Sequence, residues 1–137
     1  MYLRFISPLK SGGSARRRDL HMGIFQAVIK CRDDVDMPAW LRRQLVDEFQ
    51  WFKDYLPSPD DKYFDRWTIR GYHPNAICWF KSSAKQMIKR SWNLKALLEE
   101  AGMPLSVLQT DQPGGITYED DYQIVAHPYL WNKPRFG

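Results

Sequence analysis

The residues best equipped for chemistry in this 137-residue chain are cationic. Ser11-Gly12-Gly13-Ser14-Ala15 runs directly into Arg16-Arg17-Arg18. Glycines let backbone amides approach an anion, arginines grip phosphate through paired N–H bonds, and the start of a following helix adds partial positive charge. The segment is no P-loop, because the Gly-Lys-Ser/Thr ending is absent, and Asp19 at the helix start competes with a bound anion. A second basic feature is Lys81, Lys85 and Lys89, spaced by four, with Arg90 beside them. On a helix that spacing puts the lysines on one side, where they can track phosphates. The same pattern also serves as the solvated face of an amphipathic helix. The anion-binding candidates are therefore Arg16, Arg17, Arg18, Lys81, Lys85, Lys89 and Arg90. Arg42-Arg43, Arg66 and Arg70 extend the basic surface, and exposed Tyr or Trp rings near them are able to stack bases.

The acidic counterpart is Glu119-Asp120-Asp121, with His127 and either His21 or His73 as partners for a divalent metal or a general acid. Alternation along a strand argues against a tight triad, since neighbouring residues point to opposite faces. There is no His-Glu-x-x-His and no Cys-x-x-Cys, so neither a metal nor a cofactor is expected. Neither cysteine has a histidine at a telling spacing, and no catalytic residue is assigned. Arg4 on an early strand and Glu119 on a later one resemble, in bare outline, the ADP-ribosyltransferase pattern of an early basic residue and a late glutamate. The serine-threonine-serine strand of that pattern is missing, so the likeness covers two positions and assigns no site.

Charge is divided unevenly. Residues 1–95 carry 18 Lys and Arg against 10 Asp and Glu, whereas residues 96–137 carry 2 against 6. A basic body with an acidic last third implies either internal pairing or one face set to meet an anion. The hydrophobic share of 44 % and charged share of 26 % exclude global disorder. Cys31 and Cys78 are too few to staple a scaffold and read as buried free thiols. The first residues lack the apolar core of a signal peptide, and no apolar run is long enough for a membrane span, so a cytoplasmic location away from membranes is expected.

These side chains need elements to position them. Residues 2–7 read as a strand stopped by Pro8, and the polar stretch 9–18 as a flexible Gly/Ser/Arg loop. Asp19 suits the cap of a helix over roughly 20–32, with Leu20, Ile24, Ala27, Val28 and Cys31 on one face. Pro38 opens a second helix to about Leu56, facing inward with Leu41, Leu45, Phe49, Phe52 and Leu56; Trp40, Trp51 and Tyr55 broaden that stripe. Pro57-Ser58-Pro59 stops it, and residues 57–75 form a long aromatic-rich loop. The apolar run 76–80 predicts a central strand buried on both faces. Ser83 to Gln86 matches a capping box for a third helix, with Met87, Ile88, Trp92 (or its neighbour Leu94), Leu97 and Leu98 inward and Gly102 and Pro104 ending it. A strand over 105–110 makes 76–110 a candidate βαβ unit. Residues 116–127 alternate as a hairpin around Asp120-Asp121. The last ten residues, 128–137, read as an extended arm.

The expectation is a single α+β domain over 1–137: a small, mostly antiparallel sheet of about five strands covered by three helices. Its expected function is non-enzymatic binding, through the basic face, of an anionic partner such as nucleic acid or an acidic protein surface. The alternative is a small enzyme acting on a nucleotide or other phosphate-bearing substrate, with its site near the 57–75 loop and the 116–127 hairpin. A third possibility is an interaction subunit anchored by Tyr129, Trp131 and Phe136.

Overall fold

A computed structural model of the chain describes residues 1–10, 21–59, 67–68, 71–72 and 76–127. The loop carrying Arg16–Arg18, most of the 60–75 stretch and the 128–137 arm lie outside the described residues. Among the described residues, three helices and a six-stranded, wholly antiparallel open sheet make an α+β fold. In chain order the elements are β1 (Tyr2–Lys10), β2 (His21–Gly23), α1 (Ile24–Arg32), α2 (Ala39–Tyr55), the two-residue strands β3 (Trp67–Thr68) and β4 (Gly71–Tyr72), β5 (Ile77–Lys81), α3 (Lys85–Glu100), β6 (Ser106–Thr110), β7 (Gly115–Glu119) and β8 (Gln123–His127). Strands β3 and β4 pair with each other in a separate two-stranded sheet.

One flank of β1 is lined by β6 along its first half, from Tyr2↔Thr110 to Ile6↔Ser106. The other flank is shared. Tyr2 and Leu3 face Lys81 and Phe80 of β5, whereas Ile6 and Lys10 face Gly23 and His21 of β2. Beyond β5 lie β8 and then β7. Because β5 and β6 both run antiparallel to β1, they are parallel to each other. The expected βαβ unit exists, with β1 inserted between its two strands.

Leu3, Phe5 and Ser7 alternate inward on β1, as the strand period requires. Phe5 and Phe80 meet a helical layer built from Ile24, Ala27, Val28, Leu41, Leu45, Phe49, Phe52, Met87, Leu94 and Leu98. Each helix supplies its apolar stripe at the three- and four-residue intervals of one face. On the opposite side of the sheet Trp79, Ile124 and Ala126 form a smaller cluster with Tyr2 and Ile77. Every residue of β8 is buried, so the strand covered on both faces is β8, while Ile77 and Cys78 of β5 are half-buried.

Several local expectations give way. Pro8 does not stop β1, which runs to Lys10 through an irregularity between Ile6 and Lys10; a bulged strand tolerates the missing amide. Helix α1 starts at Ile24, with Gly23 at its cap, because pairing with β1 draws residues 21–23 into the sheet. Asp19, the expected cap, lies outside the described residues, and the cap position Gly23 carries no side-chain bond. The Ser83–Gln86 capping box does not form either: Ala84 occupies the cap position of α3 without a side-chain bond. The chain turns there through backbone bonds, from Ala84 N–H to Lys81 and from Lys85 N–H to Ser83. Trp40 and Tyr55 point outward, so α2 buries one stripe only. The end of α3 is as expected. Gly102, at φ 90°, takes the left-handed conformation, and the amides of Gly102 and Met103 close on the carbonyls of Glu99 and Leu98. Among the described residues no helix is long and apolar enough to cross a membrane.

On α3 the inward residue is Leu94, fully buried, while Trp92 is 48 % exposed and touches Phe5 edge-on at 5.4 Å. Leu94→Ala should cost about 2–5 kcal/mol in urea unfolding. Trp92→Ala should cost less than half as much; the reverse ranking would contradict this packing.

Candidate functional site

The divided flank of β1 has a geometric consequence. Past Leu3, β5 leaves β1, and β2 joins only at Ile6. Between these points Arg4 and Phe5 face a wedge with Ile77, Cys78 and Trp79 on its far side, and the wedge opens into a cavity of about 490 Å³. The helical layer roofs it. Phe25 at the start of α1 stacks on Phe49 (5.9 Å between centroids) and meets Phe52 edge-on at 4.9 Å. The end of α2 contributes Lys53 and Leu56, and Pro57-Ser58-Pro59, unable to continue the helix, carries the chain along the rim. Size and aromatic lining match a small-molecule site.

Polar groups enter this wall at few points. Gln123, 3 % exposed at the start of β8, is the hub. Its Oε1 accepts from the Cys78 thiol at 3.2 Å. Its Nε2 donates to the Pro57 carbonyl at 2.5 Å and to Asp120 Oδ2 at 3.1 Å. Asp120, in the β7–β8 turn, accepts backbone N–H bonds from Tyr122 and Gln123 and the Tyr118 hydroxyl at 2.7 Å. Arg4 supplies positive charge: its Nη2 lies 3.9 Å from where a Cβ on Gly23 would stand, and its field reaches Cys78. At the outer rim the Lys53 ammonium sits 4.6 Å over the Phe49 ring. Among the described lining residues there is no carboxylate and no imidazole.

Titration follows from these surroundings. Burial pushes the Cys78 thiol up to about 12; Arg4 opposes the shift and Asp120 adds to it. Burial raises Cys31 as well, helped by Asp34. Both cysteines are free thiols, and at neutral pH neither is the thiolate that nucleophilic chemistry requires. Burial alone would raise the Asp120 carboxyl, but the bonds from Tyr122, Tyr118 and Gln123 outweigh it and hold Asp120 below the usual carboxylate range.

The residues singled out from sequence are distributed differently. Arg16, Arg17 and Arg18 lie outside the described residues, as do Arg66, Arg70, His73 and the Tyr129, Trp131 and Phe136 anchors. Lys81 belongs to strand β5, so it does not continue a helical row with Lys85 and Lys89; its ammonium pairs with Glu119 at 2.5 Å. Lys85 and Lys89 are exposed on α3. Arg90 turns toward α2, 3.3 Å from Glu48 and stacked 4.6 Å over Trp51. Arg42 donates to the carbonyls of Arg32 and Asp34 and pins the α1–α2 connection. The acidic trio also disperses, with Glu119 on Lys81 and Asp120 fastening its own turn. Among the described residues no cluster of His, Cys, Asp or Glu is arranged to hold a metal. Arg4 lines the cavity and Glu119 does not, so the two positions of the ADP-ribosyltransferase likeness do not meet there. Sequence reasoning missed Gln123 and Cys78 as wall residues; the available signal was a polar residue within or beside an apolar strand run.

Asp120 gives a signed pH dependence. A carboxyl held below its ordinary value adds stability above that value, near pH 4, and loses it as pH falls through the depressed one. Thermal unfolding from about pH 6 down to pH 2 should therefore show a steeper acid-side fall in wild type than in Asp120→Asn; superimposable slopes would refute the assignment. Native Cys78 should also resist iodoacetamide at neutral pH and react once the protein is unfolded.

Comparison with protein-family models, with curated proteins and with solved structures found no match to this chain, so any functional reading stands on the cavity and its chemistry.

Proposed function

We propose that this chain is a binding protein for a small amphipathic anion, a flat apolar body bearing one carboxylate or phosphate, held in the cavity at the fork of the sheet. The observation that carries the reading is the composition of the wall. Aromatic rings from four elements, β1, α1, α2 and β5, line the space, and the charged residues lining it, Arg4 and Lys53, are both cationic. An anion in a largely apolar cleft is stabilised by a guanidinium more strongly than in bulk water, because charge-assisted hydrogen bonds gain where part of the solvent is displaced.

Binding is favoured over turnover by the protonated state of Cys78 and by the lack of a general acid or base among the described lining residues. The enzymatic alternative would use this same cavity, since it touches Pro57–Pro59 and Gln123. A macromolecular anion such as nucleic acid, or an acidic protein surface, would instead engage Lys85 and Lys89 on α3. That version has less support, because Lys81 and Arg90 are occupied by Glu119 and Glu48.

Tryptophan fluorescence, reporting from Trp79 in the wall, provides the test. Titration with 2-naphthoate should saturate, and its neutral methyl ester should bind about tenfold more weakly, the equivalent of roughly 1.4 kcal/mol for one charge-assisted bond. Arg4→Gln should erase that preference. Equal affinity for acid and ester, or no saturable signal, would defeat the proposal.

A further inference from the structure

The hydrogen bonds around Gln123 specify more than the charge of the ligand. A glutamine amide has two N–H donors and two acceptor lone pairs on its oxygen. Here both donors are spent, one on the Pro57 carbonyl and one on Asp120 Oδ2. Oε1 accepts from the Cys78 thiol and keeps one further lone pair. Whatever Gln123 offers the cavity is therefore an acceptor.

The orientation is enforced from outside the cavity. Asp120 does not line the space, and its depressed titration keeps it a carboxylate, which only accepts. A carboxylate beside the amide admits Nε2 and excludes Oε1. The Pro57 carbonyl imposes the same choice from the other side, so the amide cannot flip without meeting two acceptors. Backbone amides of Tyr122 and Gln123 fix Asp120 in turn, through its other oxygen.

We infer that Asp120 is a positioning residue that locks the Gln123 amide with its oxygen available, and that the ligand of the cavity carries a hydrogen-bond donor, a hydroxyl or N–H, in addition to its anionic group. The inference rests on the cavity reading above and refines it: the ligand class becomes a hydroxy- or amino-substituted aromatic acid rather than a plain one. A buried acceptor left facing apolar ligand surface is penalised, which is the usual source of strong discrimination between a hydroxylated compound and its parent.

The experiment compares 2-naphthoate with its 5-, 6-, 7- and 8-hydroxy isomers by fluorescence titration and calorimetry. At least one hydroxy isomer should bind roughly fivefold more tightly than the parent. That ratio should fall toward one in Gln123→Met, which keeps the length of the side chain and removes the acceptor. It should also shrink in Asp120→Asn, where an amide N–H opposes Nε2 and the lock fails. The ratio is the informative quantity, because general loosening of the fold weakens parent and isomer alike. Binding of the parent with no isomer preferred by the wild-type protein would overturn this inference alone and needs no variant. An advantage that survives Gln123→Met would overturn it too. Absence of saturable binding by every compound would remove the cavity reading and this refinement together.

Discussion

The structure depends on how β1 divides its hydrogen bonds. A strand interior to a sheet must satisfy amides and carbonyls along both flanks, and unpaired buried groups are costly. On one flank a single partner, β6, serves Tyr2 to Ile6. On the other, β5 serves the first two residues and β2 the last stretch, with a change of partner between Leu3 and Ile6. Two strands joined end to end on one flank cannot abut perfectly, and the sheet opens where they diverge. The cavity follows from that switch. Its aromatic roof follows from the need to cover the opening: Phe25, Phe49 and Phe52 occupy positions where α1 and α2 cross it.

Around this opening the polar side chains are ordered rather than numerous. Asp120 is held by its own turn, Gln123 by Asp120 and Pro57, and Cys78 by Gln123. Each member has its partner, so the chain stabilises the wall instead of straining it. It also ties the end of α2 to the β7–β8 turn, two segments far apart in sequence that meet at one amide.

Much of the framework was legible in the residues. Three amphipathic helices, the strand before α3, the hairpin at 116–127 and the glycine stop at Gly102 all follow from period and turn chemistry, which act over a few neighbours. The failures share a cause. Asp19 and the Ser83–Gln86 box are good local caps, yet pairing of residues 21–23 with β1 and a tight backbone turn at Ser83–Lys85 decide where α1 and α3 begin. The lysine row failed because spacing of four implies a helix only if all its members are on one, and Lys81 is on β5. The cavity was the least legible feature. It joins Arg4, Phe25, Phe49, Cys78 and Gln123, which share no motif and meet only through a change of strand partner.

Pairing between residues 2–6 and 106–110 also sets the order in which the molecule can be made. A ribosome delivers β1 before its uninterrupted neighbour, which emerges about a hundred positions later. Until then the first strand has an open side and an exposed Phe5, and the helices form over a sheet that lacks its edge. Closure over so long a stretch of chain is slow compared with helix formation. Nascent chains therefore pass through a vulnerable interval, during which protection of the first strand by a chaperone would matter most.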